Sequence, residues 1–226
     1  MVDYMDFKKI DMNTWPRREH FNYYINNIKC KYNITSNIEI TNLLFEIKKK
    51  NLRFYPSFIY VVSKAINDNV EFRMSYDSEG KLGYWKYTNP VYTLFHEDDK
   101  TFSDIWTYYN EDFSIFYADC VKDLETYKDV KGIKAKPNQP ENFFPVSALP
   151  WLSFTGCSNI SLNESRMLFP VITFGKYFKQ DKKVFIPFSI MVNHAAADGY
   201  HTSKLINDIQ DYCKNVYEWI QDTANI

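Results

Sequence analysis

His194 and Asp198 stand four residues apart in the stretch VNHAAADGYH, separated by three alanines and followed by Gly199. An imidazole is the side chain whose ordinary proton affinity suits both taking and returning a proton near neutral pH. A carboxylate close by could orient that ring, pair with a cation or close a turn. The chain holds only four histidines, and two of them, His194 and His201, fall in this stretch. Chance supplies an HxxxDG pattern in roughly 1–2% of chains of such composition. At this level His194 is either a general base or a structural ring at a strand end. If it is a base, the alanines leave room for a substrate to approach it, and Asp198-Gly199 makes a tight turn in which Gly199 is able to take a positive φ.

Other familiar chemistry is absent from the sequence. There is no GxGxxG, P-loop, HExxH or GxSxG. Six glycines in 226 residues leave little for a phosphate-cradling loop. The cysteines Cys30, Cys120, Cys157 and Cys213 form no CxxC pair and have no zinc spacing, so no metal is expected and a reduced cytoplasmic setting is. A net charge of -1 with both signs interspersed argues against a nucleic-acid partner. The start, MVDYMDFKKI, lacks the basic-then-apolar order of a signal peptide. The most apolar run, Phe58 to Ile66, is too short to span a bilayer, so no membrane partner is expected either. In a cytoplasmic protein the Asn-X-Ser/Thr triplets at Asn33, Asn159 and Asn163 carry no meaning. The aromatic content of 18% allows an aromatic pocket, but an AT-rich coding sequence would give the same abundance of Tyr and Phe.

The elements that must position His194 follow from periodicity. NTWPRREHFNYYINN predicts a helix with Thr14 near its cap and Pro16 in its first turn. CKYNITSNIEI alternates as a strand, and TNLLFEIKKK and PSFIYVVSKAIND are helical, with Lys48-Lys49-Lys50 an exposed helix end. EFRMSY and LGYWKY flank a turn at DSEGK and predict a hairpin. VYTLFH is a strand. Ser103 to about Glu125 reads as helix, and Pro137, Pro140 and Pro145 mark an irregular crossing segment. PVITFGKYF and VFIPFSIMVN flank the polar turn KQDKK, and Val184 to Val192 has the near-continuous apolar character of a strand buried on both faces. A last helix runs from Tyr200 to about Ile220 with Leu205, Ile209, Cys213, Val216 and Ile220 on one stripe. The expected class is α/β (α+β), one mixed sheet with helices packed on it, and His194 sits where the buried strand gives way to a loop.

HxxxDG, in this setting, resembles the signature of CoA-dependent acyltransferases of the chloramphenicol acetyltransferase superfamily. WPRREHFNYY, KCKYNIT, FYPSFIYVVSKAIN, EFRM, YTLFHEDDKTFSDIW, PENFFPVSALPWLSF, PVITFGKYF and MVNHAAADGYH are similar to segments of that family, in its order and nearly its spacing. The resemblance implies a two-layer acyltransferase sandwich, one domain over residues 1–226, assembled as a homotrimer with active sites at subunit interfaces. It implies acetyl transfer from acetyl-CoA to a hydroxyl of chloramphenicol in a ternary complex without an acyl-enzyme, giving antibiotic resistance. Acetyl-CoA is then a co-substrate, and no cofactor is permanently bound. By position, His194 matches the base, Ser147 the donor to the tetrahedral oxyanion, and Thr173 a residue that helps through water. Asp198 matches a carboxylate that pairs with the arginine here numbered Arg17 and keeps the site in shape. Tyr24, Cys30, Tyr32 and Phe102, with Asn159 and Ser161, match acceptor-binding positions. Trp151 and Tyr177 match positions on the CoA side, Tyr177 against adenine. His201 is expected behind the site or simply in the helix, and His20 and His96 are expected to be structural.

The chain departs from the family pattern in three places. Asn193 stands where the family usually has the first of two histidines. TGCSNISLNES brings Asn159 and Ser161 to positions that are apolar in the drug pocket, where unpartnered polar groups would weaken binding. KGIKAKPNQ lacks an aromatic that some members place over the pocket. These departures touch acceptor recognition, which leaves an O-acetyltransferase for another hydroxylated small molecule, or a drug-sequestering scaffold, as alternatives.

Overall fold

The computed structural model describes residues 6–159 and 167–220. Among these, ten strands and five α-helices follow one another as β1 Phe7–Lys9, α1 Arg18–Asn22, β2 Lys31–Glu39, α2 Thr41–Lys49, α3 Phe54–Asn67, β3 Met74–Tyr76, β4 Leu82–Trp85, β5 Asn89–His96, β6 Thr101–Trp106, α4 Phe113–Tyr127, β7 Phe143–Leu149, β8 Val171–Gly175, β9 Phe178–Gln180, β10 Lys183–Asn193 and α5 Gly199–Lys214. A seven-stranded sheet has the order β2-β10-β8-β7-β5-β6, with β9 paired to β10. The β5–β7 and β7–β8 pairs are parallel and the other pairs antiparallel, which makes the sheet mixed. A second sheet, β1-β4-β3, contains the expected hairpin.

Alternation along the strands divides the large sheet into two faces. Ile186, Phe188, Ile190 and Val192 of β10, Ile172 and Phe174 of β8, and Phe144 and Val146 of β7 point into one core with α3 and α5. The central helix α3 is buried almost all round, so its polar residues need partners at once. Ser57 and Ser63 donate back to the carbonyls of Arg53 and Ile59, both at 2.7 Å. The stripe Leu205, Ile209, Cys213, Val216 and Ile220 joins this core, although the regular helix ends at Lys214 and a 3₁₀ turn carries Val216–Glu218. The opposite face of the sheet carries the alternate residues, Thr35, Ser189, Thr173 and Ser147 in one register row.

The structure corrects three local expectations. Residues 101–106 are a strand, not the start of a helix. Phe102 and Asp104 face one side and Ser103 and Ile105 the other, and pairing with β5 outweighs the helical spacing of the apolar residues. The helix begins only at Phe113, where the Asp112 carboxylate accepts from the Ser114 N–H at 2.8 Å. Pro145 lies inside β7 rather than in irregular chain. The first helix is five α-helical residues that run into a π-helix at Tyr23–Ile28, ended by Lys29 in the left-handed region at φ 53°. No helix among the described residues is long and apolar enough to cross a membrane.

At the end of β8 the chain that leaves β7 lies directly on the sheet. Gly175 makes this possible, because a Cβ there would sit 2.7 Å from the Leu152 carbonyl oxygen and 2.9 Å from the Phe154 ring. We expect Gly175→Ala to lower the unfolding free energy by about 1–3 kcal/mol, the usual cost of overpacking, measured by urea denaturation at neutral pH. An unchanged midpoint would mean that this segment does not rest on the strand.

Candidate active site

The chain turns out of the sheet just after Asn193. The His194 N–H donates to the Cys30 carbonyl at 3.1 Å, and the Asn193 carbonyl accepts from Ala196 N–H at 3.0 Å and Ala197 N–H at 3.2 Å. The Asn193 carboxamide adds two more bonds. Its Oδ1 accepts from Ala195 N–H at 3.0 Å, and its Nδ2 donates to the Met167 carbonyl at 3.1 Å. The residue that departs from the family pattern is therefore used at both ends, as a neutral clamp on the loop that carries His194.

The imidazole of His194 is half-buried between two tyrosines. Tyr24 stacks on it with centroids 3.7 Å apart and planes 8° from parallel, and Tyr32 meets it edge-on at 5.1 Å. Burial pushes the Tyr32 phenol above its ordinary value, against the hydrogen bond to Thr202. The protonated hydroxyl reaches the Ala197 carbonyl at 3.3 Å and shares a hydrogen bond with Thr202 at 2.6 Å. His194 Nδ1 is enclosed without a hydrogen-bond partner among the described residues. Packing, rather than a carboxylate on Nδ1 as in a Ser-His-Asp triad, orients the ring.

One expectation for this loop is overturned, and the freedom of its glycine goes unused. The alanines do not open space for a substrate, because all three are buried. Ala195 and Ala196 pack in a small core with Phe21, Met74, Leu82 and Leu168, while Ala197 belongs to the main core. The loop threads between two packed clusters, and only methyl groups fit. Nor does Gly199 take a positive φ, since it is the first residue of α5. Asp198 is the N-cap, with its Oδ1 accepting from Tyr200 N–H at 3.0 Å.

Asp198 turns its other oxygen to Arg17, with Nη1–Oδ2 at 2.6 Å. Its Oδ1 also lies 2.8 Å from Nδ1 of His201, whose Nε2 is 3.6 Å from Glu71. Burial works to raise the Asp198 carboxyl, but the Arg17 hydrogen bond and the charges of His201 and Arg17 outweigh it and hold the group at about 2. Asp198 thus ties the first helix to α5 across the back of the His194 loop. The remaining histidines are remote from this loop's hydrogen bonds. His96 Nε2 pairs with Ser103 Oγ at 2.8 Å in the core, and His20 is exposed.

A groove of about 490 Å³ opens on the sheet face away from the helices, over β5, β6 and β7. Ser147, Phe102 and Trp151 line it together with Phe143, Pro145 and Asp104. Trp151 packs edge-on against Phe95 at 4.6 Å, so it shares the groove with Phe102. Thr173 is buried beside Ser147, in register on the next strand. Tyr177 lies past the end of β8, half-exposed and edge-on to Phe54 at 5.7 Å. The Asn159 backbone is pinned from both sides by the Asn33 carboxamide, at 3.1 and 3.3 Å. Ser161 lies outside the described residues.

The candidate residues thus form two groups. His194 gathers Tyr24, Tyr32, Cys30, Asp198 and Arg17, and the groove gathers Ser147, Phe102 and Trp151 with Thr173 alongside. Ser147, Thr173 and Ser189 share one register row, and His194 is five residues beyond Ser189. At about 3.3 Å per residue and about 4.8 Å per strand, His194 lies about 17 Å along the sheet and about 10 Å across it from Ser147. One chain cannot bring both to the same carbonyl. Among the described residues no cluster of three His, Cys, Asp or Glu side chains is placed to hold a metal ion. Asn33, Glu71 and Asp104 were not singled out as parts of the site from the sequence, and Asn193 was noted there only as a departure from the family pattern. Alternation puts Asn33 and Asn193 on the polar face, but their partners come from distant loops.

A family model described as chloramphenicol acetyltransferase matches residues 5–210. A chloramphenicol acetyltransferase of Clostridium butyricum is 48% identical over 96% of this chain and 100% of its own length. One of Clostridium perfringens is 44% identical over 96% of this chain and 99% of its own. Among solved structures, a chloramphenicol acetyltransferase superposes with a TM-score of 0.81 at 22% identity, over 92% of this chain and 100% of that one. A structure of Azotobacter vinelandii dihydrolipoamide acetyltransferase gives 0.66 at 14% identity, over 97% and 96%. The architecture is thus that of an acyltransferase, with a mixed sheet and packed helices. The chain belongs to the chloramphenicol acetyltransferase family.

The Asp198–Arg17 pair has a defined pH signature. Because the folded carboxyl is held below its unfolded value of about 3.9, its stabilisation is fully present above that value and is lost as the pH falls towards about 2. We expect Arg17→Ala to cost about 1–3 kcal/mol at pH 7, less than a fully buried pair because the Asp198 side chain keeps 33% of its surface in solvent. The gap between the denaturation midpoints of Arg17→Ala and the unaltered protein should narrow below about pH 4. A gap that does not change with pH would remove the ion pair as its cause.

Proposed function

We propose that this protein transfers the acetyl group of acetyl-CoA to a hydroxyl of chloramphenicol, with His194 as general base, in a homotrimer whose active sites lie between subunits. The observation that carries the mechanism is the half-buried His194 ring, clamped by Tyr24 and Tyr32 with Nδ1 enclosed. Nε2 is then the nitrogen left to meet an incoming hydroxyl. Family membership supports the substrates, and the distance from His194 to Ser147 supports the shared site. The same reading makes residues 1–226 one domain of a cytoplasmic enzyme with no resident cofactor.

The chemistry follows from the positions. An alcohol holds its proton too tightly near pH 7 to attack a thioester. Nε2 of a neutral imidazole takes that proton as the oxygen bonds to the acetyl carbonyl carbon, a contribution of about 10²–10⁴ in rate. The carbonyl oxygen becomes an oxyanion, which the hydroxyl of Ser147 of the partner subunit stabilises, with Thr173 next to it on the neighbouring strand. Collapse breaks the carbon–sulfur bond, and the imidazolium returns its proton to the departing CoA thiolate. Tyr24 and Tyr32 keep the ring in plane, Cys30 holds the His194 backbone, and Asp198 with Arg17 fixes the loop from behind. Phe102 and the chain at Asn159 bound the acceptor, while Trp151 and Tyr177 face the CoA side.

Release of free CoA thiol from acetyl-CoA and chloramphenicol tests the reaction. We expect His194→Ala to lower kcat by about 10²–10⁴ and Ser147→Ala by about 10²–10³, both with the trimer intact by sedimentation. Co-assembling the two inactive variants tests the shared site. A mixed trimer pairs an intact His194 from one subunit with an intact Ser147 from another, so activity should reappear. Mixed trimers that stay as inactive as their parents would place the site within a single chain.

A further inference from the structure

The groove beside Ser147 has an uneven wall. Most of it is apolar, from Val91, Phe95, Phe102, Phe143 and Pro145, but the carboxylate of Asp104 also faces it. Only the backbone of Asp104 is hydrogen-bonded, from its N–H to the Ile133 carbonyl at 2.6 Å and from Ala135 N–H to its own carbonyl at 3.2 Å. Among the described residues its side chain makes no hydrogen bond and no ion pair. The Lys134 ammonium, exposed on the same wall, influences it only through its charge. Burial pushes the Asp104 carboxyl up and the Lys134 charge pulls it down, with burial the larger effect. A half-buried carboxylate in apolar surroundings is costly to leave without a donor. The fold does not demand one here, because the chain at residues 133–135 already satisfies the Asp104 backbone.

Its place across the sheet gives the carboxylate a use. Asp104 pairs with Thr93, and Tyr92 pairs with Val146 in the parallel β5–β7 ladder, so Asp104, Thr93 and Ser147 lie in one row across three strands. Two strand spacings separate Asp104 from Ser147, about 10 Å. That is the reach from a reacting terminal hydroxyl to the far end of a small phenyl-bearing acceptor.

We propose that Asp104 is a specificity-determining residue of the acceptor groove, selecting acceptors whose end remote from the reacting hydroxyl carries a hydrogen-bond donor. This rests on the reading of the groove as the acceptor site. A carboxylate accepts hydrogen bonds and cannot give them. It therefore favours an amino or hydroxyl substituent and disfavours one that only accepts, such as the para-nitro group of chloramphenicol. A groove that offers a hydrogen-bonding group discriminates by leaving that group unpaired when the wrong substituent enters.

The test compares chloramphenicol with its analogue bearing para-amino in place of para-nitro. Equilibrium binding of both is measured by calorimetry on the intact protein and on Asp104→Asn, which keeps the side-chain shape but supplies a donor. Asp104→Ser, which removes the carboxylate altogether, is the second variant. We expect the Kd ratio of nitro to amino compound to fall by about tenfold in Asp104→Asn, with the affinity for acetyl-CoA unchanged and Asp104→Ser lying between. In steady state the change should appear in the KM for the acceptor and not in kcat. A ratio that moves by less than about twofold in both variants, or failure of both compounds to bind, overturns the inference. Thiol release by the unaltered protein is read separately. Binding that shifts as expected without any acetyl transfer would sink the proposed reaction and leave the recognition role standing.

Discussion

β10 is hydrogen-bonded along both flanks, and its register with β2 runs unbroken from Phe185 opposite Glu39 to Asn193 opposite Lys31. This pairing is the constraint on which the site depends. It sends Ile186, Phe188, Ile190 and Val192 into the core and leaves Ser189, Met191 and Asn193 for the other face. A slip by one residue would exchange the two sets. The loss of burial for four large side chains makes that slip prohibitive. The same register settles where the chain leaves the sheet, and so how far His194 stands from the row that holds Ser147.

The loop after β10 is held by packing and neutral hydrogen bonds rather than by charge at the imidazole itself. Ala195 and Ala196 fill one cluster and Ala197 another. Asn193 spends both ends of its carboxamide on the loop and on the Met167 carbonyl. Ionisable groups stand behind, where Arg17, Asp198, His201 and Glu71 join α1, α5 and the turn before β3. Two tyrosine rings then restrict the imidazole plane. A base held in this way loses little freedom when a substrate arrives, which is the value of preorganisation.

The far face of the sheet shows how the polar side chains of a strand can organise a neighbouring loop. Thr35 donates to Ser189 at 3.1 Å, Ser189 donates to the Cys157 carbonyl at 2.9 Å, and Asn33 bonds the backbone of Asn159. The chain after β7 is thereby tied across β10 and β2 through side chains, without itself becoming a strand. In the proposed trimer each catalytic centre draws on two chains, so activity and assembly would be linked.

Much of the fold could be read from local pattern. The apolar run of β10, the buried α3 and the stripe on α5 each bury a continuous surface, and a continuous surface leaves its period in the sequence. The reading failed where two periods compete. Phe102, Ile105 and Trp106 suit a helix stripe as well as a strand, and only the partner strand β5 decides between them. Thr14 and Pro16 look like a helix start, yet α1 begins at Arg18. Nothing local announces the π-helix that follows.

The sequence by itself determined the residue types of the chemistry, namely an imidazole at the end of a buried strand, a capping carboxylate and a family signature. Those features depend on neighbours along the chain. Tertiary structure alone decided that the alanines are packing rather than open space and that the Asn193 carboxamide holds the loop at both ends. It also decided that Ser147 lies too far from His194 to serve it within one chain, and that Asp104 faces the groove. Each of these turns on strand register and on contacts between segments tens to hundreds of residues apart, which local composition does not encode.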